Sequence, residues 1–180
     1  MNVFRQKIST QGLMLSALFT AAIAVCSQLM IPLPMVPINL ALLAVYLCGA
    51  VLSPLYSTLS VAAFLLLGMV GVPVFAGLKG GVGALFGMTG GYLLGYLLCV
   101  LIIGFLRNRL LPTLWGRVAM FAAGLAVCYA LGTVWFMVVT GHSLGKSLAL
   151  CVWPFLPGDA VKIALAAVLT PRLMQAVPKV

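Results

Sequence analysis

The residues best suited to chemistry are Asp159 and Lys162, which lie three positions apart and directly follow Pro157 and Gly158. Pro157 suits the first turn of a helix, so Asp159 would lie where the helix dipole favours an anion. Lys162 would then lie on the same helix face. Such a pair offers a carboxylate that accepts two N–H donors and an ammonium that binds an anion. The pattern favours a binding site for a ligand with a urea-like or amide head and a carboxylate tail, with a purely structural ion pair as the alternative.

The scarcity of acidic residues excludes most catalytic chemistry. Asp159 is the one acidic residue among 180, and His142 is the one histidine. Hydrolysis by paired carboxylates and two-metal phosphoryl transfer need more carboxylates than this. The five cysteines include no Cys-x-x-Cys pair, which argues against a metal or redox site. We therefore expect no enzyme, no catalytic residue, no cofactor and no metal.

The composition is that of a membrane protein. Hydrophobic residues make up 64% of the chain and charged residues only 6%, whereas a soluble domain has roughly 25% charged residues. Segments near the ~20 residues that a membrane helix requires can be delimited at the charges, prolines and glycine clusters. The predicted spans are 11–31, 36–52, 54–71, 84–106, 116–140 and 157–175. The predicted fold class is all-α, a six-transmembrane-helix bundle forming one membrane domain over residues 1–180.

The distribution of Lys and Arg predicts that both termini lie inside, because cytoplasmic loops carry the excess of these residues. The cations on the inner side would be Arg5, Lys7, Arg107, Arg109, Arg117, Arg172 and Lys179, and those in outer loops Lys79 and Lys146. The net charge of +9 does not indicate nucleic acid, since no basic run with interleaved aromatic residues is present. Segments 32–35, 72–83 and 141–156 would be the outer loops.

These outer loops are rich in proline and glycine, and irregular backbone near membrane depth is tolerated where it lines a cavity. A ligand pocket in the outer half is therefore expected. Glycines at 83, 87, 91 and 95 repeat every four residues and predict a smooth groove on one helix face, for helix packing or for a flat ligand. Thr89, Gly90 and Tyr92 add polar groups beside it. Ala17 and Ala21 form a second small-residue face, for packing or for docking another membrane protein.

Four segments resemble the BioY family, the biotin-specific substrate-binding (S) components of energy-coupling factor (ECF) transporters. They are IPLPMVP at 31–37, GVPVFAG at 71–77 with GG at 80–81, GMTGGY at 87–92, and PFLPGD with Lys162 at 154–162. The resemblance implies a six-helix bundle with the vitamin near the outer face. It also implies that Asp159 binds the ureido head of biotin, that Lys162 lies near its carboxylate, and that Gly90, Gly91 and Tyr92 line the site.

The same resemblance implies partners. Ala17 and Ala21 would meet the transmembrane coupling subunit EcfT, which connects to two cytoplasmic ECF ATPases. The chain has no nucleotide-binding sequence and lacks the carboxylate relay of many proton-driven carriers. We therefore expect energy to come from those partners, with a solitary biotin carrier as the alternative. The expected location is the bacterial inner membrane, as a multi-pass protein.

The sequence departs from the family pattern near the expected pocket. Met88 stands where proline is usual, Asn39 and Ala41 stand where Thr and Gln are common, and Lys79 adds a cation to the second outer loop. Asn39 and Lys79 are therefore included among the candidate substrate-binding residues, together with Thr89 beside the glycine groove. The departures leave lipoate, dethiobiotin or another carboxylated ligand open beside biotin. A membrane enzyme or a structural scaffold is the alternative from a different class.

Overall fold

The computed structural model describes residues 9–31, 36 and 38–177, and this part of the chain is mostly helical. Its helices are α1 (Thr10–Gln28), α2 (Ala41–Val51), α3 (Pro54–Met69), α4 (Val82–Leu85), α5 (Gly90–Leu110), α6 (Leu114–Thr140), α7 (Leu144–Cys151) and α8 (Leu156–Ala176). Two short strands, β1 (Met30–Ile31) and β2 (Ile38–Asn39), pair antiparallel between α1 and α2. Most of the proline-rich connection predicted between them lies outside the described residues, as do Arg5, Lys7 and Lys179.

Each of the six predicted spans contains a helix of the structure. By length and composition α1, α5 and α6 could each cross a membrane, and α7 with α8 could form a fourth span bent by 54°. The helices α2 and α3 are apolar but only 11 and 16 residues long. The count of six spans therefore stays a prediction.

The structure differs from the sequence prediction in two places, before α5 and after α6. The predicted span 84–106 is broken, because α4 ends at Leu85 and α5 begins only at Gly90. The carbonyl of Gly87 in this break accepts hydrogen bonds from Trp135 Nε1 and from the backbone N–H of Gly90, both at 3.0 Å. The predicted outer loop 141–156 contains α7, which begins after Ser143. The left-handed Gly141, with φ of 71°, ends α6 and turns the chain into this segment.

The α5–α6 pair is the most extensive helix contact. At Gly91 and Gly95 the α5 backbone packs closely against Trp135 and Cys128 of α6, so a side chain at either glycine would clash. The glycine groove predicted along one helix is therefore not found as such: Gly83 belongs to α4, Gly87 to the break, and the other two glycines are covered by α6. Small residues let the two helix backbones approach closely. This tight packing stabilises helix pairs in lipid, where little hydrophobic force drives helices together.

Hydroxyl groups join α1 to α3. Ser16 donates to the carbonyl of Tyr56 at 3.0 Å, and Thr20 donates to the carbonyl of Ser60 at 3.0 Å. Such bonds between helices replace the hydrophobic driving force that is missing in lipid. Because this face of α1 is turned toward α3, Ala17 and Ala21 are exposed.

Arginines gather at one end of the bundle. Arg107 near the end of α5 donates to the carbonyl of Leu52, and Arg117 near the start of α6 donates to the carbonyl of Ala167 at 2.8 Å. The opposite end of α5, beginning at Gly90, borders a large cavity. The distribution of cations predicts that the arginines lie on the inner side, and this orientation would place the cavity at the outer end of the bundle.

Candidate functional site

A cavity of about 610 Å³ lies at this end of the bundle, opposite the arginines. Small-molecule sites are typically clefts of about 300–1,000 Å³ that carry a few polar groups among apolar walls. Of the eight predicted substrate-binding residues, those that line the cavity are Asn39, Lys79, Thr89, Tyr92, Asp159 and Lys162. Residues scattered over 124 positions of sequence therefore meet around one space.

The start of α8 presents the charged pair to this cavity. Pro157 lies in the first turn of α8, and the backbone N–H of Asp159 donates to the carbonyl of Phe155 at 2.8 Å. Asp159 therefore already has helical hydrogen bonding at the N-terminal end of α8. Lys162 Nζ lies 2.7 Å from Asp159 Oδ1. Both residues are buried, with 2% of Asp159 and 5% of Lys162 exposed. The predicted pairing on one helix face is thus present in the structure.

Tyr129 of α6 completes the cluster by donating its hydroxyl to Asp159 Oδ2. Each carboxylate oxygen therefore already accepts one hydrogen bond. An ionised carboxylate has about four acceptor positions, so about two stay available to a ligand. The Lys162 ammonium has three donor hydrogens and directs one of them to Asp159.

The electrostatic character of the cluster follows from this pairing. A buried charge is tolerated when it is paired and hydrogen-bonded, and here the cation and the anion neutralise each other. The cluster is thus rich in hydrogen-bonding groups but carries no net charge. A neutral polar group with both donors and an acceptor suits it better than an isolated anion.

Tyr92 of α5 contacts both α6 and α7. Its hydroxyl lies 3.4 Å from Thr133 Oγ1 of α6 and 3.4 Å from the carbonyl of Cys151 at the end of α7. Its ring lies against Gly132, where any side chain would collide with it. Asn39 Oδ1 accepts a hydrogen bond from the backbone N–H of Ala41 at 3.1 Å, which helps to begin α2 beside the cavity.

Gly90 and Gly91 are not among the residues that line the cavity. Gly90 packs against the carbonyl of Leu85, and Gly91 packs against Trp135. Their part in the site is therefore indirect, because the absence of side chains lets α5 lie against α6 and brings Tyr92 and Thr89 to the cavity wall.

Two residues that the sequence reasoning did not single out are prominent here. Tyr129 lies 30 positions before Asp159, and no local pattern connects them. Gln28 ends α1 and donates through Nε2 to the carbonyls of Phe75 at 3.0 Å and Val74 at 3.1 Å, while its Oε1 accepts from the N–H of Leu78 at 3.0 Å. A polar amide at the end of an apolar span was the only sequence signal for the second residue.

The segment that Gln28 holds carries Lys79 to the rim of the cavity. Phe75 and Lys79 form an antiparallel bridge, with N···O distances of 3.0 and 3.2 Å in the two directions. Leu78 adopts a φ of 55° to close this turn. Lys79 is exposed and also lines the cavity.

Comparison with known proteins identifies relatives along nearly the whole chain. A model of the BioY family matches residues 3–179. The biotin transporter BioY of Thermotoga maritima is 40% identical over 158 residues, which is 88% of this chain and 92% of the relative. A probable biotin transporter BioY of Pyrococcus horikoshii is 35% identical over 159 residues, covering 88% of this chain and 93% of the relative. These names describe transporters and not enzymes.

Solved structures agree with this assignment. The crystal structure of the S-component for biotin from an ECF-type ABC transporter superposes with a TM-score of 0.86 at 30% identity, over 94% of this chain and 95% of that one. The folate-bound structure of FolT superposes with a TM-score of 0.67 at 16% identity, covering 96% and 97% of the two chains, and thus shares the fold. The fold is that of an ECF S component, and the chain, a multi-pass membrane protein, belongs to the BioY family.

Proposed function

We propose that this protein binds biotin with high affinity in the outer cavity and delivers it inward as the S component of an ECF-type vitamin transporter. The observation that carries the proposal is the buried cluster of Asp159, Lys162 and Tyr129 at a cavity of about 610 Å³. The names of the relatives, which are biotin transporters, support it.

The chemistry of biotin matches that of the cluster. Its ureido ring has two N–H donors and one carbonyl acceptor, and it is neutral. Asp159 accepts the N–H groups at its remaining acceptor positions, and the Lys162 ammonium donates to the ureido carbonyl. Hydrogen bonds to charged groups are shorter and stronger than neutral ones, and a buried site strengthens them further. Asn39, Thr89, Tyr92 and Lys79 border the space left for the rest of the ligand.

Delivery across the membrane requires partners. We propose that the chain spans the membrane six times with both termini inside, in the cell membrane of a bacterium. The transmembrane coupling subunit EcfT and two cytoplasmic ECF ATPases would then supply the energy. The exposed position of Ala17 and Ala21 on α1 supports their assignment to the docking surface, because small residues allow another helix to approach closely.

Calorimetric titration of the purified protein tests the proposal. Biotin should bind with roughly nanomolar affinity, on the order of −12 kcal/mol. Lipoate lacks the two ureido N–H groups and should compete poorly, whereas dethiobiotin retains them and should compete measurably. Absence of biotin binding, or tighter binding of lipoate than of biotin, would refute the proposed ligand.

A further inference from the structure

The two lysines that line the cavity differ in their pairing. Lys162 lies 2.7 Å from the carboxylate of Asp159. Because Asp159 is the only acidic residue in the sequence, no acidic side chain is left for Lys79. The described wall of the cavity thus carries one neutralised cation in its interior and one cation at its rim with no acidic partner. The rim of the cavity therefore attracts an anionic group, and its interior does not.

The backbone that carries Lys79 is held in place before any ligand arrives. The amide of Gln28 bonds to both sides of the turn, through the carbonyls of Val74 and Phe75 and the N–H of Leu78. The hydroxyl of Ser27 donates to the carbonyl of Val74 as well. A segment that is already ordered loses little further entropy when it binds a ligand, which favours affinity.

The side chain of Phe75 anchors the same turn in the helix bundle. Only 3% of Phe75 is exposed, and its ring meets that of Phe64 edge to face, with centroids 5.4 Å apart. The ring also fills the space above Gly68 of α3, where a side chain would collide with it. The turn is therefore tied to α1 by hydrogen bonds and to α3 by packing.

From these observations we propose that Lys79 is the residue that selects the carboxylate of the ligand, and that Gln28 is a positioning residue that aims it. This inference rests on the proposed function, since the interior cluster must take the ureido head for the carboxylate tail to reach the rim. The family resemblance places the carboxylate near Lys162, but the salt bridge to Asp159 already neutralises the charge of that cation. The two ends of the ligand are thus recognised by two separate lysines.

The test compares biotin with biotin amide, in which a neutral carboxamide replaces the carboxylate. Both compounds are titrated into the purified full-length protein and into the variant Lys79→Met. The affinity of the variant for biotin should fall by about fivefold to tenfold. This loss lies between that expected for an exposed ion pair and that expected for a charge-assisted hydrogen bond. Its affinity for the amide should stay within about twofold of the original, because only the carboxylate uses the charge.

Two further lysine variants serve as controls. Lys79→Arg keeps the cation and should retain the preference for the acid. Lys146→Met removes an exposed cation of α7 that does not line the cavity. It changes the net charge by the same amount as Lys79→Met and should leave the preference for the acid unchanged. Raising the salt concentration should reduce the preference in the original protein and not in Lys79→Met, because salt screens exposed charges.

Gln28→Leu tests the positioning role. It leaves Lys79 in place but removes the hydrogen bonds to the turn, so it should lower the ratio of acid to amide affinity and speed the dissociation of biotin. A purely structural role would weaken the two ligands equally and leave the ratio unchanged, which would overturn the assignment of Gln28.

The outcomes for Lys79 separate this inference from the proposed function. Normal biotin binding with an unchanged acid-to-amide ratio in Lys79→Met would overturn the role of Lys79 and leave biotin binding intact. Failure of the unmodified protein to bind either compound would overturn the proposed function and, with it, this inference. A ratio that falls in Lys79→Met but not in Lys146→Met supports the inference.

Discussion

At the scale of single residues, the site depends on how one carboxylate is shared. Asp159 accepts hydrogen bonds from Lys162 and Tyr129, which lie on two different helices. Removing one partner of a buried ion pair is costly because it leaves an uncompensated charge. A variant of Asp159 therefore affects the stability of the protein as well as ligand binding, and a test must separate the two effects.

Asp159→Asn should weaken biotin binding by at least ~1.5–3 kcal/mol, the value of a hydrogen bond to a charged group. It should also lower the melting temperature, since Lys162 becomes an unpaired buried cation. The double variant Asp159→Asn with Lys162→Met removes both charges and should regain stability but not affinity. Calorimetry and thermal unfolding measure the two quantities. Recovery of biotin binding in the double variant would contradict direct contact by Asp159.

At the scale of elements, the cavity wall depends on glycines that admit large side chains. Gly132 of α6 makes room for the ring of Tyr92, and Gly91 of α5 makes room for Trp135. Trp135 in turn donates to the carbonyl of Gly87 and holds the break between α4 and α5. This interlocking of α5 and α6 determines the shape of the cavity.

Gly132→Ala should displace Tyr92 and cost about 1–3 kcal/mol of stability, which is typical of an overpacked site. Biotin affinity should fall as well, because Tyr92 lines the cavity. Gly145→Ala on α7 is the matched control, since a side chain there meets nothing within 4 Å. Unchanged melting and binding in Gly132→Ala would show that Tyr92 can move freely, contrary to the packing described.

At the scale of the whole molecule, the site and the predicted docking surface are separate. The cavity opens at one end of the bundle, whereas Ala17 and Ala21 lie exposed along α1. Binding of the vitamin and assembly with the energising partners should therefore be separable by mutation.

Ala17→Trp should leave biotin binding by the isolated protein unchanged and abolish its co-purification with the coupling subunit, because a bulky ring prevents close helix approach. Val138→Trp on α6 changes another highly exposed apolar position and serves as the control. Assembly that survives Ala17→Trp would refute the assignment of this docking face.

Uptake of labelled biotin into vesicles should require the coupling subunit and the ATPases together with ATP. Many proton-driven carriers use chains of Asp, Glu or His, whereas the sequence contains one acidic residue and one histidine, which is why we expect the energy to come from partners. Equal uptake with and without the partners would favour a solitary carrier.

The sequence by itself determined the membrane class, the segments that contain the six longest helices, and the pairing of Asp159 with Lys162. These features follow from composition and from local backbone geometry, since a proline in the first turn and a spacing of three residues place both side chains on one face. Only the tertiary structure decided that Tyr129 completes the cluster, that α6 covers Gly91, and that Gln28 holds the turn carrying Lys79. Those contacts join residues that lie about 30 to 50 positions apart, so their geometry depends on how the helices pack, and no local pattern encodes it.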